Sequence, residues 1–340
     1  MITADLKVNV KDNVKDKPQN TFIIDDNALM FLNRFLKNWR HRIKWAKREN
    51  ITAYRCYDRD LPNFNVAIDR YGQSLYIQEY HNKRIDVDKT QMRINQILIL
   101  LRHQKEFANF ELITSTRRKQ LRYEQYQKQA AKMQAFQIKE RDAVFWVDLA
   151  QHIDTGLYLD HRPIRHWLHQ YPNKHRILNL YAYTGSATIA AALGGSKQSV
   201  SVDLSKTYLR WAKRNFIANR LNDQHQLVHS DVENYLHQAA TARNRKLFDI
   251  ILLDPPTFSN SKRTSKDLDV QKDHHRLIAL AMKSLSADGV LVFSTHARKF
   301  KLDTNLQAEF QIENYCSQTI DLDFKQNPNI HYCWLIRHAE

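Results

Sequence analysis

The sequence predicts an α/β protein in which a Rossmann-like, doubly wound, mostly parallel sheet follows a smaller N-terminal α+β domain. Three observations carry this. From about residue 151 onward, short apolar runs alternate with helix-like stretches, the rhythm of a parallel sheet covered on both faces. Gly185, Gly194 and Gly195 closely follow the first of those runs in a chain with only 6 glycines. A strand, a glycine turn and a helix start form the place where such sheets bind nucleotide-like ligands. Residues 51 to 150 instead hold β-like runs around one helix-like segment, an α+β pattern. At 340 residues the chain can give each of two domains its own core.

Residues 1–24 are rich in Lys, Asp and Asn and poor in apolar residues, which predicts a flexible tail or linker. Asp25 and Asp26 offer caps for a helix whose buried face is expected to be Leu29, Leu32, Phe35, Leu36, Trp39, Ile43 and Ala46. Its other faces carry Arg34, Lys37, Arg40, Arg42, Lys44, Lys47 and Arg48. Strand-like runs at 53–57, 64–71, 75–80, 110–116 and 143–149, with a helix near 88–103, complete an α+β domain expected over 25–150. In the Rossmann-like part, 151–340, strands are expected at 177–181, 199–202, 227–228, 248–253 and 290–293. Helices are expected near 186–193, 206–219, 232–240 and 269–285, and 330–336 reads as a last strand.

Lys and Arg number 52 against 36 Asp and Glu, a formal charge of +16, and such an excess favours a polyanionic partner, nucleic acid above all. Within the first domain Arg117, Arg118, Lys119, Arg122, Tyr123 and Tyr126 alternate cations with tyrosines, as expected where phosphates are neutralised and bases rest on rings. An exposed helix or hairpin would read the same way. Cys56, Cys316 and Cys333 form no C-x-x-C pair, which points to reduced thiols of a cytoplasmic protein. No charged-then-apolar leader and no run of ~18 apolar residues is present, so neither export nor a membrane partner is expected. The 16 histidines, including His161, His166, His169, His274 and His275, show no metal-ligand spacing. They are expected at helix surfaces or facing RNA, with no metal.

In a doubly wound sheet the residues just beyond each strand's carboxyl end meet the ligand. After the first strand, Asn179-Leu-Tyr-Ala-Tyr-Thr-Gly-Ser would bring backbone amides and hydroxyls to a cofactor, with Asn179, Tyr183, Thr184, Gly185 and Ser186 as its contacts. Neither G-x-G-x-x-G nor G-x-x-x-x-G-K occurs, which disfavours pyrophosphate and triphosphate cradles. Asp203 after the second strand is placed to accept from both ribose hydroxyls, although it would also suit NAD. Asp231 and Val232 after the third offer a carboxylate and an apolar side chain to adenine; an ordinary helix cap would explain Asp231 equally. Asp254-Pro255-Pro256-Thr257-Phe258 after the fourth is the most specific string. Its two prolines fix φ and remove two amide donors, so Asp254 and the carbonyls are held rigidly while Phe258 is free to stack on a base. Together these positions read as an S-adenosylmethionine methyltransferase.

These residues resemble the S-adenosylmethionine-dependent methyltransferases of ribosomal RNA, and most closely the C-terminal, guanine-N7 half of the fused bacterial 23S rRNA enzymes RlmKL. The resemblance runs from about Leu29 onward and rests on Trp45 to Glu49, Tyr57 to Pro62, Asp154 to Arg162 and Asp254 to Arg263. It implies a class I methyltransferase fold, S-adenosyl-L-methionine as cofactor, and 23S rRNA or a large-subunit precursor as partner, at a guanine of the peptidyl-transferase region. It further assigns the cofactor to Tyr183 through Ser186, its ribose to Asp203 and its adenine to Asp231 and Val232. Asp254, Pro255, Pro256 and Phe258 would face the methyl group and target base, Arg162 the cofactor carboxylate, and the last strand the sheet edge, antiparallel. Lys262 and Arg263, with Arg40 and Lys47, join the expected RNA contacts. The family's N-terminal half, with its THUMP domain and guanine-N2 methyltransferase domain, has no counterpart in these residues, which fits either a stand-alone version or a piece of the fusion whose missing half is a partner. Relatives read Asn-Asn-Lys-Arg-Gly after the fifth strand, where this chain has Thr295-His296-Ala297-Arg298-Lys299.

Guanine N7 presents an in-plane lone pair, so its methylation needs alignment more than proton abstraction. Cytosine C5 methylation needs a cysteine nucleophile, and sister enzymes carry it where this chain has Thr295. Guanine N2 methylation is an alternative, since Asp-Pro-Pro with an aromatic also serves amino groups. So is a non-catalytic RNA-binding or assembly protein on the same fold, which would bind no S-adenosylmethionine.

Overall fold

The computed structural model describes residues 24–80, 87–117, 135–150, 154–171, 176–241, 247–259 and 267–339. The chain divides into two units, Met1–Ala130 and Ala131–Glu340. The expected tail, 1–24, lies outside the described residues except for its last residue.

The first unit is built on one long amphipathic helix, α1 (Asp26–Arg48), capped by the Asp25 carboxylate, which accepts from the Ala28 amide at 2.8 Å. Its buried stripe is Ala28, Phe31, Phe35, Trp39, Arg42, Trp45 and Ala46. This corrects the expected face by about one position: Leu29 is exposed. The reason is aromatic packing, since Phe31 stacks on Phe64 at 4.7 Å and Trp45 meets Tyr54 at 6.1 Å. Arg42 also leaves the expected solvated set, because its guanidinium donates to the Cys56 carbonyl inside the domain. The helix covers β1 (Ala53–Asp58), β2 (Val66–Tyr71), β3 (Ser74–Tyr80) and, after α2 (Val87–Arg102), β4 (Glu111–Arg117). The sheet runs β1-β2-β3-β4, with antiparallel pairs except for parallel β3 and β4, whose crossover is α2.

The second unit opens with the hairpin β5 (Phe136–Glu140) and β6 (Ala143–Val147), then α3 (Arg162–Gln170), β7 (Arg176–Leu180), α4 (Ser186–Leu193), β8 (Gln198–Asp203), α5 (Lys206–Ala218), β9 (His225–His229), α6 (Val232–Thr241) and β10 (Phe248–Leu253). The short strands β11 (Phe258–Ser259) and β12 (Leu268–Asp269), α7 (Val270–Met282), β13 (Leu285–Thr295), α8 (Leu306–Glu309), β14 (Phe310–Asn314) and β15 (Tyr332–His338) complete it. The hairpin belongs with this unit, not with the first as a boundary at 150/151 supposed. Asn215 and Asn219 of α5 explain why: their amides exchange hydrogen bonds with the backbone of Val144 and Trp146 at 2.6–2.8 Å.

The main sheet has the order β14-β15-β13-β10-β7-β8-β9. Strands β9, β8, β7, β10 and β13 run parallel, while β15 and β14 are antiparallel. Both faces are buried, and alternation along β10 shows it. Ile250 and Leu252 pack with Ile164 and Leu168 of α3 and Ala187 and Ala191 of α4. Ile251 and Leu253 pack with Val232 and Leu236 of α6 and Leu277, Ile278 and Ala281 of α7. The last strand is antiparallel as expected but is not the edge; β14, which the sequence reading missed, lies outside it. Among the described residues no helix is long and apolar enough to cross a membrane.

Candidate active site

The parallel strands end on one side of the sheet, and their following loops build the site. After β7 the chain turns through left-handed backbone at Tyr181 (φ 56°), Tyr183 (φ 50°) and Gly185 (φ 74°). Two non-glycine residues in that region are strained by about 1–3 kcal/mol each, so the surroundings must fix them. Gly185 is required on packing grounds too, because a Cβ there would lie 2.7 Å from the Phe216 ring. The Tyr183 amide donates to Asp203 Oδ2 at 2.8 Å, and the Ser205 amide to Asp203 Oδ1 at 2.7 Å. Burial raises the Asp203 carboxyl above its ordinary pKa against those amide bonds. The Gly156 amide donates to the Tyr183 hydroxyl at 2.8 Å, and the Thr184 hydroxyl donates to the Gly156 carbonyl at 2.7 Å. Asp203, Tyr183 and the 154–156 segment are thereby locked together.

Asn179 and Thr184 lie beneath this loop rather than in its mouth. The Asn179 amide donates to Thr188 Oγ1 at 3.0 Å, and Thr188 pairs with Ser201 at 2.7 Å; Asn215 donates to the Thr184 carbonyl at 3.0 Å. Ser186 starts α4, half-buried. After β9, Asp231 accepts from the Asn234 amide at 3.0 Å and caps α6, and Val232 is buried in the core.

After β10, the Asp254 carboxylate divides its oxygens. Oδ2 lies 3.6 Å from His161 Nδ1, while Oδ1 is buried and meets no hydrogen-bond partner among the described residues. An orphaned acceptor costs roughly 1–3 kcal/mol, so Asp254 Oδ1 is open to a donor from beyond the described residues. Pro255 is buried, Pro256 is exposed, and Phe258 stands 58% exposed before β12 closes the loop. Beside Asp254, His161 stacks on His296 at 4.8 Å, and Tyr158 lies 5.1 Å from His296 and 5.3 Å from Tyr183. The Asp160 carboxylate receives both His296 Nε2 and His331 Nδ1 at 2.8 Å. Burial alone would raise that carboxyl, but the two imidazoles hold it well below the ordinary range. Burial pushes His161 down to about 4, whereas Asp160 overrides burial at His296 and lifts it to about 9. The donor atoms of Asp160, His161, His296 and His331 lie within 4.8 Å of one another, a cluster with metal-ligand chemistry whose Asp160 oxygen two imidazoles already share.

A family model described as "S-adenosylmethionine-dependent methyltransferase" matches residues 118–325. The chain belongs to that family. This methyltransferase is similar in sequence to proteins named "Ribosomal RNA large subunit methyltransferase K/L". It is 41% identical to that of Hahella chejuensis over 95% of this chain and 45% of the relative. It is 43% identical to that of Chromohalobacter salexigens over 92% of this chain and 42% of the relative. The chain thus spans less than half the length of these relatives. In structure it is similar to SMU.776, described as a methyltransferase and solved with SAH, at a TM-score of 0.72 and 26% identity over 91% of this chain and 81% of that one. The fold and cofactor are therefore those of a class I S-adenosylmethionine methyltransferase. The residues present fit that cofactor: a strained glycine turn with no room for a Cβ and a carboxylate at the end of β8.

The structure corrects several expectations. Arg162 faces no cofactor site: it is 1% exposed, with Asp321 and Asp323 at 3.0 and 3.1 Å and Glu140 at 3.6 Å. A guanidinium so enclosed is a structural ion-pair centre. His161 and His274 are buried, not on helix surfaces. Thr295 ends β13 with no exposure, and its hydroxyl accepts from the Ala297 amide at 3.2 Å. Of the expected RNA contacts, Arg40 and Lys47 are exposed on α1 of the first unit. Arg118, Lys119, Arg122, Tyr123, Tyr126, Lys262 and Arg263 lie outside the described residues, and Arg117 ends β4. The sequence reading missed Tyr158, Asp160 and His331 and left His296 without a role; the Asp154 to Arg162 string was noticed, but its chemistry needed the strands beside it.

Proposed function

We propose that this methyltransferase transfers the methyl group of S-adenosylmethionine to N7 of a guanine in 23S rRNA, as the counterpart of the C-terminal half of the K/L relatives. The observation that carries the reading is the divided Asp254 carboxylate beside the exposed Phe258 ring. When bound, the cofactor supplies a methyl group whose bond to sulfur breaks, with its electron pair kept by sulfur, as the bond to N7 forms. No proton leaves, and the purine becomes cationic. Asp254 then favours the developing positive charge, and Phe258 stacks on the base or a neighbour. Asp203 accepts from the ribose hydroxyls, and Tyr183, Gly185 and Ser186 line the amino acid arm. Asp231 and Val232 lie toward adenine.

Thr295, enclosed and hydrogen-bonded, offers no nucleophile for cytosine C5 chemistry. The exposed Arg34, Lys37, Arg40, Lys44, Lys47 and Arg48 of α1 supply phosphate contacts, so RNA affinity falls with salt by a log–log slope of about −0.7 per neutralised phosphate on single strands. Cytoplasmic action on a large-subunit precursor, with the relatives' other half as partner, belongs to the same reading. Incubation with unmodified 23S rRNA transcript, followed by mass analysis of nucleosides and N7-sensitive strand cleavage, tests it. N7-methylguanosine at one site is expected; N2-methylguanosine, 5-methylcytidine or no product overturns it.

A further inference from the structure

Asp254 alone leaves a recognition problem unsolved. A carboxylate accepts hydrogen bonds only, and the N7 edge of guanine offers two acceptors, N7 and O6, whereas adenine offers N7 and a donor amine. Asp254 by itself would therefore welcome adenine and repel the guanine edge. A donor is needed in the same mouth.

Three imidazoles surround Asp160, and they are not alike. His161 and His331 are buried, while the His296 side chain is 29% exposed. His296 Nε2 is spent on Asp160 Oδ2 at 2.8 Å, and Nδ1 meets no hydrogen-bond partner among the described residues. The ring is fixed in place by stacking on His161 at 4.8 Å with an interplanar angle of 19°, and by Tyr158 at 5.1 Å. His161 in turn stands 3.6 Å from Asp254 Oδ2, which sets His296 one ring away from the Asp254 carboxylate. We propose that His296 is a specificity residue of this site, donating through Nδ1 to O6 of the target guanine and so selecting guanine over adenine. The inference rests on the guanine-N7 reading.

With Nε2–H directed at Asp160, Nδ1 carries a hydrogen only in the imidazolium. The groups that face His296 are Asp160 and His161 from the turn before α3, His331 before β15, Asp254 after β10 and Tyr158. The two carboxylates favour the charged ring, and Asp160 does so through a direct hydrogen bond. The imidazolium is thus the resting form at neutral pH, lost as pH rises through about 9.

The test compares the native enzyme with His296→Leu and His296→Asn on an unmodified 23S rRNA transcript between pH 7 and 9.5, with calorimetric binding of S-adenosylhomocysteine alongside. His296→Leu is expected to lower kcat/KM roughly 10- to 100-fold with S-adenosylhomocysteine binding unchanged. His296→Asn, which keeps a short donor, recovers most of that loss. The native rate falls through about pH 9, and the His296→Asn rate does not. Native activity in His296→Leu, loss of cofactor binding in step with activity, or an alkaline fall that survives in His296→Asn would each overturn the proposal. The methylated nucleoside made by the native enzyme reports separately on the N7 reading: a product other than N7-methylguanosine counts against that reading, whatever the variants do.

Discussion

Two buried charge clusters of the second unit begin on adjacent residues and behave in opposite ways. Arg162 and Arg165 face Glu140, Asp321 and Asp323 in a dense set of ion pairs, with Arg165 holding both Glu140 oxygens at 2.6 Å. One residue earlier, His161 faces a carboxylate with one oxygen that has no hydrogen-bond partner among the described residues. Burying charge is costly in either place. The first cluster ties α3 to the β5–β6 hairpin and to the segment before β15 by direct ion pairs. In the second, the imidazole beside Asp254 is one that burial keeps neutral, and the proposed function gives the remaining acceptor a ligand. Charge and burial alone do not separate structure from function; whether the described residues supply the opposing charge does.

Breaking the arginine cluster gives the largest expected effect. Arg162→Met leaves Asp321 and Asp323 short of a cation, while Glu140 keeps Arg165, and a loss of about 3–5 kcal/mol in chemical denaturation is expected. If Arg162→Met kept its stability and lost cofactor affinity instead, the contrast would collapse and the cofactor-carboxylate assignment would return. Asp254→Ala sharpens the other side. Removing the orphaned oxygen should leave folding intact or slightly improved and S-adenosylhomocysteine binding nearly native, while methyl transfer falls on the order of 100-fold. Full activity in that variant would remove Asp254 from the chemistry.

A third charge group, on the surface, sets the lower end of the scale. His275 bridges Asp303 and Glu309 at 2.9 Å on both nitrogens, and those hydrogen bonds raise it above its ordinary pKa. A raised histidine contributes stability that is complete below its unfolded pKa and is lost as pH rises through its folded one. Because the pair is solvent-screened, His275→Ala should cost less than about 1 kcal/mol at pH 6 and almost nothing at pH 8.5. A cost that grew with pH would show that the clamp is not protonated.

Much of the fold was legible because both periodicities are strong. The span of β10 and the bounds of α4 match the expected runs, since apolar stretches bounded by Asp-Pro-Pro and by glycine leave little choice. The hairpin's allegiance was not legible. It depends on Asn215 and Asn219, which lie 69 to 75 residues further along the chain. The edge strand β14 was hidden because Phe310–Asn314 is only 5 residues long and its alternation shows just two apolar side chains, Phe310 and Ile312, both only partly buried. At the site, the glycine turn and Asp254 announced themselves through residue type. Arg162 misled because a cation at the end of the Asp154 to Arg162 string reads alike whether it meets a ligand or carboxylates of its own chain. His296 and His331 could not be paired from sequence at all, since Asp160 joins them across 136 and 171 residues.

The central claim, methyl transfer to guanine N7, is tested most directly with two 23S rRNA transcripts, one made with GTP and the other with 7-deaza-GTP, in which carbon replaces N7. Tritium from labelled S-adenosylmethionine should enter the first and not the second, although the N2 amine and all cytosines are present in both. Equal incorporation into the two transcripts would contradict the account.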